Sequence, residues 1–248
     1  MSGHVLVTGG GRGIGAAICR AAAGAGYAVT VNYRERAQAA ESLAAEIRAG
    51  GGRAVAIAAD VSREAEVERL FVEAEAALGP LSGLVNNAGI TGASGQLAEA
   101  DPAMMRAVLE LNVVGTLLCA QAAVRRMARG HGGAGGVIVN ISSNAALSGS
   151  GDMWVWYAAS KGAVDTLTLG LGREVAREGI RVVAVAPGFV ATELLAEGLG
   201  AEKLAAISAS IPMGRPATPE EIAGAVAFAL SDAASYMTAT VMRVTGGR

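Results

Sequence analysis

Histidine and cysteine are scarce, with two of each in 248 residues. His4 and His131 lie far apart and neither belongs to a cluster of ligand residues, so no metal site is expected. Cys19 and Cys119 are 100 positions apart inside apolar segments, without the spacing of a metal site or a disulfide framework, and read as buried inert thiols. Charge of one sign is missing as well. A formal net charge of -2, a pI near 5.8 and the lack of a long basic run leave no general attraction for nucleic acid or an anionic membrane surface. No uninterrupted apolar run reaches the eighteen or so residues of a membrane span. The start, MSGHVLVTGG, goes directly into a strand pattern instead of the charged and long apolar regions of a signal peptide. The expectation is a soluble, cytoplasmic protein.

What is present is apolar: 52% of residues are hydrophobic, against 17% charged. The length permits one domain or two, but short β-branched runs alternate with longer alanine-rich stretches throughout, the pattern of βαβ units around a parallel sheet. Strands are expected at 4–8, 28–32, 53–58, 83–86, 136–141, 180–186 and 241–244. Helices are expected at 13–25, 36–49, 63–78, 102–129, 156–177 and 219–230. VLV, VIVNI and VVAVA are apolar on both faces, as in strands covered by helices on both sides. The glycine-rich stretch GHGGAGG at 130–136 reads as a surface connection, and no internal repeat or long linker divides the chain. A single α/β domain over residues 1–248 is expected, with the segment 190–212 as a possible lid.

TGGGRGIG, residues 8–15, follows the first strand and opens the first helix. Glycines let a backbone approach a pyrophosphate, and free amides at a helix N-terminus supply donors and partial positive charge. The spacing of Gly9, Gly13 and Gly15 is G-x-x-x-G-x-G, not the G-x-G-x-x-G fingerprint. In NAD binders an acid near the end of the second strand holds the ribose 2'-hydroxyl. Here Asn32, Tyr33 and Arg34 stand in that place, and Arg12 lies in the glycine turn. Two guanidiniums suit a 2'-phosphate, which predicts NADP(H) in preference to NAD(H).

Together these motifs resemble the short-chain dehydrogenase/reductase family over essentially the whole chain. The resemblance is carried by TGGGRGIG at 8, Asp60-Val61 after the third strand, NNAG at 86–89 and Asn112 in the following helix. It continues with ISS at 141–143, YAASK at 157–161 and Pro187-Gly188 after the sixth strand. It implies a Rossmann-type, doubly wound parallel sheet of seven strands with the dinucleotide across the strands' C-terminal ends. On a helix, positions four apart share a face, so Tyr157 and Lys161 can point into one cleft.

The family's mechanism implies a proton carried by Tyr157 while hydride moves between nicotinamide and a ketone or secondary alcohol. Lys161 would favour the phenolate, whose free pKa is about 10, and bond the nicotinamide ribose. Ser143 would donate to the substrate oxygen, with Ser142 its competitor, and Asn112 would help hold a water in a proton relay. Gly9, Arg12, Gly13, Ile14, Gly15, Asn32, Tyr33, Arg34, Asp60, Val61, Asn87, Ala88, Gly89, Pro187, Gly188 and Thr192 would hold the cofactor with Tyr157 and Lys161. The implied substrate is a small carbonyl or alcohol compound, within the group that includes 3-oxoacyl thioesters, sugars and polyols. The implied assembly is a homotetramer, in keeping with two helices, around VVGTLLCAQAAV and YAASKGAVDTLTLGLG, that are apolar over more than one face. The rival reading is a non-catalytic dinucleotide-binding regulator on the same fold.

One departure stands out. Ser143 and Tyr157 are fourteen apart where many family members have thirteen, so the loop ALSGSGDMWVW carries an extra residue beside the expected substrate site. The chain has only nine aromatic residues, yet Trp154, Trp156 and Tyr157 fall together there. Trp154 is read as one wall of the pocket, with Phe189 and the segment from 190 closing another; packing against a neighbouring subunit is the alternative for both tryptophans.

Overall fold

The computed structural model describes residues 3–191, 206 and 208–248. Its described strands are β1 (His4–Val7), β2 (Ala28–Tyr33), β3 (Ala54–Ala58), β4 (Gly83–Asn86), β5 (Gly136–Ile141), β6 (Ile180–Pro187) and β7 (Thr240–Val244). They form one parallel sheet in the order β3-β2-β1-β4-β5-β6-β7. The chain winds outward from β1 to β3, then returns to the other side of β1 as β4. That reversal opens a crevice at the carboxyl ends of β1 and β4, where ligands of open α/β sheets bind.

The helices that lie wholly within the described residues are α1 (Gly13–Gly24), α2 (Ala37–Ala49), α3 (Glu64–Leu78), α4 (Pro102–Leu109), α5 (Thr116–Met127), α6 (Ala145–Ser148), α7 (Val155–Glu174) and α8 (Pro219–Leu230). Strand alternation assigns them to two faces. Val5, Val7, Val137 and Val139 pack in one buried cluster with Ile18 of α1, Leu43 of α2 and Ile222 of α8. Their neighbours Leu6 and Ile138 pack on the opposite face with Leu70 and Phe71 of α3 and Cys119 of α5. Apolar residues at consecutive strand positions are needed because both faces are dry. Cys19 and Cys119 are fully buried in these two layers. Burial raises both thiols, Cys119 to about 12.

The helix expected at 102–129 is not uniform. Between α4 and α5 the residues Glu110–Gly115 form a π-turn, a feature concentrated at functional sites. Thr116 Oγ1 donates to the Asn112 carbonyl within it at 2.8 Å. The continuous stretch Pro102–Met127 is long and apolar enough to cross a membrane by length and composition, although its charged residues break the apolar run. Its inner face is instead part of the core through Cys119, Ala122, Ala123 and Met127. The helix expected at 156–177 spans Val155–Glu174 and ends in a 3-10 turn, Ala176–Glu178. The short helix α6 was not expected from the sequence.

Candidate active site

The glycine turn and the NNAG turn are fastened to each other across the crevice. Asn87 Nδ2 donates to the carbonyls of Thr8 (2.9 Å) and Gly9 (3.0 Å). Thr8 Oγ1 in return accepts from the amides of Asn87 (2.9 Å) and Ala88 (3.0 Å). Gly9 and Gly13 have φ of 60° and 50°. A Cβ on Gly15 would lie 2.3 Å from the Gly9 carbonyl oxygen and 2.6 Å from Asn87 Nδ2, so no larger residue fits without moving the turn. The first turn of α1 carries no acid, and its N-cap, Arg12, is exposed and makes no capping bond. A close backbone cradle with free helix N-terminal amides and an adjacent cation fits a pyrophosphate.

Asn32 lies near the end of β2, beside the glycine turn. Its side chain is buried and committed within the fold: Oδ1 accepts from the Gly9 amide at 3.2 Å, while Nδ2 donates to Ile57 (3.3 Å) and Ala59 (3.1 Å). It braces the glycine turn against the end of β3. Tyr33 is partly buried against the α1–α2 layer. Arg34 is about half exposed, paired with Glu35 and 3.9 Å from Asp60 Oδ2. Burial pushes the Asp60 carboxyl up, but bonds from the Ser62 hydroxyl and amide, aided by Arg34 and Arg63, hold its pKa below the usual value. Val61 beside it is buried against Gly115 of the π-turn.

The second half of the site gathers on the other side of the crevice. Lys161 is 5% exposed, and its Nζ donates to the Ile141 carbonyl at the end of β5 at 2.7 Å. Burial lowers its pKa to about 8, with Asp165 pulling weakly the other way. The ammonium lies 5.7 Å from the Tyr157 ring centroid. Tyr157 itself is partly exposed. Burial of its hydroxyl raises the phenol pKa, and the Ser143 side chain opposes that rise.

That contact also separates the two candidate serines. Ser142 is buried, its hydroxyl directed to the Lys161 carbonyl at 3.4 Å, whereas Ser143 faces the phenol and accepts from the Ala145 amide at 3.1 Å. Asn112 is fully buried in the π-turn. Its Oδ1 accepts from the Ile90 amide (2.9 Å), and its Nδ2 donates to the Ile90 carbonyl (2.9 Å) and Ser160 Oγ (3.0 Å). Ser160 donates in turn to the Tyr157 carbonyl at 2.7 Å. Gly89 sits between these groups: a Cβ there would lie 3.1 Å from Asn112 Oδ1 and 3.6 Å from Lys161 Nζ. Pro187 accepts from the Asn144 amide at 2.8 Å and Gly188 donates to Val244 at 2.9 Å, joining the end of β6 to the segment after Ser143. Thr192 and most of the expected lid at 190–212 lie outside the described residues.

Two participants were not foreseen, and a third, Trp156, has a contact within its own chain. Thr8 and Ser160 act through hydroxyls placed one position after β1 and three after Tyr157, spacings visible in the sequence but carrying no signal by themselves. Trp156 is buried within its own chain, its Nε1 donating to the Thr91 carbonyl at 2.8 Å, so it anchors the turn after NNAG rather than a neighbouring subunit. The loop with the extra residue uses left-handed backbone at two non-glycine positions, Ser150 (φ 46°) and Asp152 (φ 61°).

Comparison with known proteins agrees with this geometry. Residues 9–248 match a family model described as enoyl-(acyl carrier protein) reductase. The chain is 44% identical to an uncharacterized oxidoreductase, YgfF, of Escherichia coli, over 98% of each chain. It is 39% identical to a 3-oxoacyl-[acyl-carrier-protein] reductase of Synechocystis over 98% of this chain and 95% of that protein. A short-chain dehydrogenase/reductase from Serratia marcescens superposes with a TM-score of 0.91 at 33% identity, covering 99% of this chain and 97% of the other. The chain belongs to the short-chain dehydrogenase/reductase family. It is an oxidoreductase with a Rossmann-type parallel sheet, and its relatives act on C=O and CH-OH groups. Membership in this family also implies a nicotinamide cofactor, which the cradle at Gly9, Gly13 and Gly15 fits.

Proposed function

We propose that the protein is an NADP(H)-dependent oxidoreductase that interconverts a ketone and the corresponding secondary alcohol, with Tyr157 as general acid/base. The observation that carries this reading is the convergence of the Tyr157 phenol, the Ser143 hydroxyl and the buried Lys161 ammonium beside a glycine cradle suited to a dinucleotide. A nicotinamide held by the glycine cradle would supply the hydride for reduction of the carbonyl carbon, or take it up from the alcohol carbon in the reverse direction. Ser143 donates a hydrogen bond to the substrate oxygen, polarising it, and Tyr157 delivers its hydroxyl proton to that same oxygen. Lys161, which donates to the Ile141 carbonyl, provides the positive charge and would offer a further N–H to the nicotinamide ribose. Asn112 fixes the Ile90 turn and the first turn of α7, so the proton relay starts from a rigid base.

Arg12 and Arg34 favour the 2'-phosphate through charge-assisted bonds, each contributing roughly 1.5 to 3 kcal/mol. Arg34 must exchange part of its pairing with Glu35 to do so. The working form is a cytoplasmic homotetramer. The test is a carbonyl and alcohol panel read by NADPH absorbance, with NADH in parallel. Turnover with NADPH favoured by tenfold or more supports the reading. Tight dinucleotide binding with no turnover of any compound would instead make the protein a regulator, and equal use of NADH would remove the cofactor assignment.

A further inference from the structure

Trp156 stands directly before Tyr157 in the first turn of α7, yet its side chain serves another part of the crevice. The indole is 5% exposed, and its Nε1 donates at 2.8 Å to the carbonyl of Thr91, a residue 65 positions away in the chain and two past the NNAG turn. Close packing surrounds that bond. A Cβ on Gly92 would lie 3.2 Å from Trp156 Nε1 and 2.2 Å from Met104 Sδ, and Gly92 has φ of 73°. The missing side chain lets the turn pass tightly against the indole and against Met104 of α4.

The residues leading into this turn are held one after another. Asn87 and Ala88 bond to Thr8 and Gly9 of the glycine cradle. A Cβ on Gly89 would lie 3.6 Å from Lys161 Nζ, and Ile90 is bound through its amide and its carbonyl to Asn112, both at 2.9 Å. Thr91 follows, bound to Trp156. The run 87–91 thus links the cradle to α7 without an unheld residue. Asn112 reaches α7 through the Ser160 hydroxyl, whereas Trp156 reaches it directly, at the residue before the phenol. Adjacent residues of a helix share one rigid backbone turn, so the place of the indole and the place of Tyr157 are set together.

We propose that Trp156 is a positioning residue for the transfer step: its N–H ties the turn after β4, which borders the cofactor crevice, to the helical turn that carries Tyr157. The inference rests on the oxidoreductase reading above and gives Trp156 no contact with substrate. Reduction needs hydride at the carbonyl carbon and the Tyr157 proton at the neighbouring oxygen, so the crevice and the phenol must stay in register. A misplacement of about 1 Å costs on the order of a hundredfold in rate. Dinucleotide binding depends on the cradle and not on that register, so loss of the tie lowers kcat and spares cofactor affinity.

Two replacements remove the N–H. Trp156→Phe is the simple one. Insertion of β-(3-benzothienyl)alanine at position 156 by stop-codon suppression puts sulfur in place of the N–H and keeps the bicyclic shape; it decides the matter where the phenylalanine variant does not fold. In the cofactor-free protein, amide hydrogen exchange over residues 87–93, read by mass spectrometry, should accelerate by about tenfold while the core strands exchange as before. With the fastest ketone of the carbonyl panel and the dinucleotide that the wild type prefers, kcat should fall by about 10- to 100-fold. The Kd of that dinucleotide should stay within about threefold, and the isotope effect from deuterium at its transferring position should rise as hydride transfer comes to limit turnover. Near-native kcat in the benzothienyl protein would overturn the proposal whatever its melting temperature, because a merely structural tryptophan lowers stability and leaves turnover of the folded enzyme alone. Unchanged exchange at 87–93 would overturn it too, as would a loss of kcat matched by an equal loss of dinucleotide affinity. A wild type that turns over no ketone or alcohol would overturn the oxidoreductase reading and this inference with it; an active wild type with unaffected variants overturns this inference alone.

Discussion

Lys161 Nζ is bound to the Ile141 carbonyl at 2.7 Å and stands 5.7 Å from the centre of the Tyr157 ring, one helical turn earlier. The ammonium is thus engaged with the end of β5, while burial keeps the phenol protonated beyond its ordinary range. A protonated phenol is the form that donates to a carbonyl, and a phenolate is the form that accepts from an alcohol. The reduction rate should therefore stay level through neutral pH and decline above about 8, where Lys161 loses its charge. Oxidation should instead rise with pH across the neutral range. Initial rates in both directions from pH 6 to 10 check this; reduction that climbs with pH would assign the proton to another group.

Tyr157→Phe removes only the hydroxyl. kcat should fall by roughly 10²- to 10⁴-fold, the usual contribution of a positioned general acid, while NADPH binding measured by fluorescence persists. Lys161→Met should weaken both, since the lysine serves the ribose as well as the phenol. Near-native turnover in Tyr157→Phe would remove the assigned mechanism.

Arg34 illustrates how a neighbour restrains a binding residue. It is paired with Glu35 at the mouth of the crevice, and an exposed ion pair of this kind is weak. Glu35→Gln should free the guanidinium and lower the Kd for NADPH by about two- to fivefold, leaving NADH unchanged. Isothermal titration with the two cofactors measures it, and equal effects on both would place Arg34 away from the 2'-phosphate.

The order of strands and helices was legible because the central strands need apolar residues on both faces, while helices repeat their apolar residues with a longer period. The site was legible where chemistry demands a residue type: glycines in a turn that a Cβ would obstruct, and a tyrosine and lysine one turn apart. It was not legible where function depends on how a side chain is shared. Asn32 has the position of a ribose contact but spends its amide on Gly9, Ile57 and Ala59. Ser142 and Ser143 are identical in type and differ only in which side of the strand end they face. The π-turn at Asn112 follows from long-range bonds to Ile90 and Ser160, so helical periodicity alone extended the helix straight through it.

His4 gives a pH-dependent term in stability. It is 2% exposed between the Gly79 carbonyl (2.8 Å) and Thr30 Oγ1 (2.9 Å), and burial holds its pKa below 6.5. The unfolded chain then binds the proton more readily, so stability is complete above pH 6.5 and is lost as pH falls from there through the folded-state value. The urea midpoint should drop between pH 7 and pH 5, and His4→Gln should flatten that slope while costing roughly 1 to 3 kcal/mol at pH 7 from the disturbed bonds. An unchanged slope in the variant would trace the loss to other groups.

The outer faces of α5 and α7 bear on assembly. Leu117 is 45% exposed, Leu169 36% and Val114, at the end of the π-turn, 37%. A shallow groove between the helices is lined by Leu117, Ala120, Val124, Leu167, Gly170 and Leu171 among others. Isolated exposed leucines are ordinary, but apolar residues gathered in a groove between two adjacent helices and bordered by Gln121, Arg125 and Glu174 suit a contact surface with an apolar centre and a polar rim. Gly162 and Gly170 present no side chain on α7, and space around them is open, so a second copy's helices can approach closely across a two-fold axis. Light scattering at micromolar concentration should give a tetramer for the wild type. Leu117→Asp combined with Leu167→Asp places charges in that groove and should yield dimers or monomers with an unchanged far-UV circular dichroism spectrum. A tetramer that survives both aspartates would place the subunit contact elsewhere, and a wild-type monomer would refute the assembly itself.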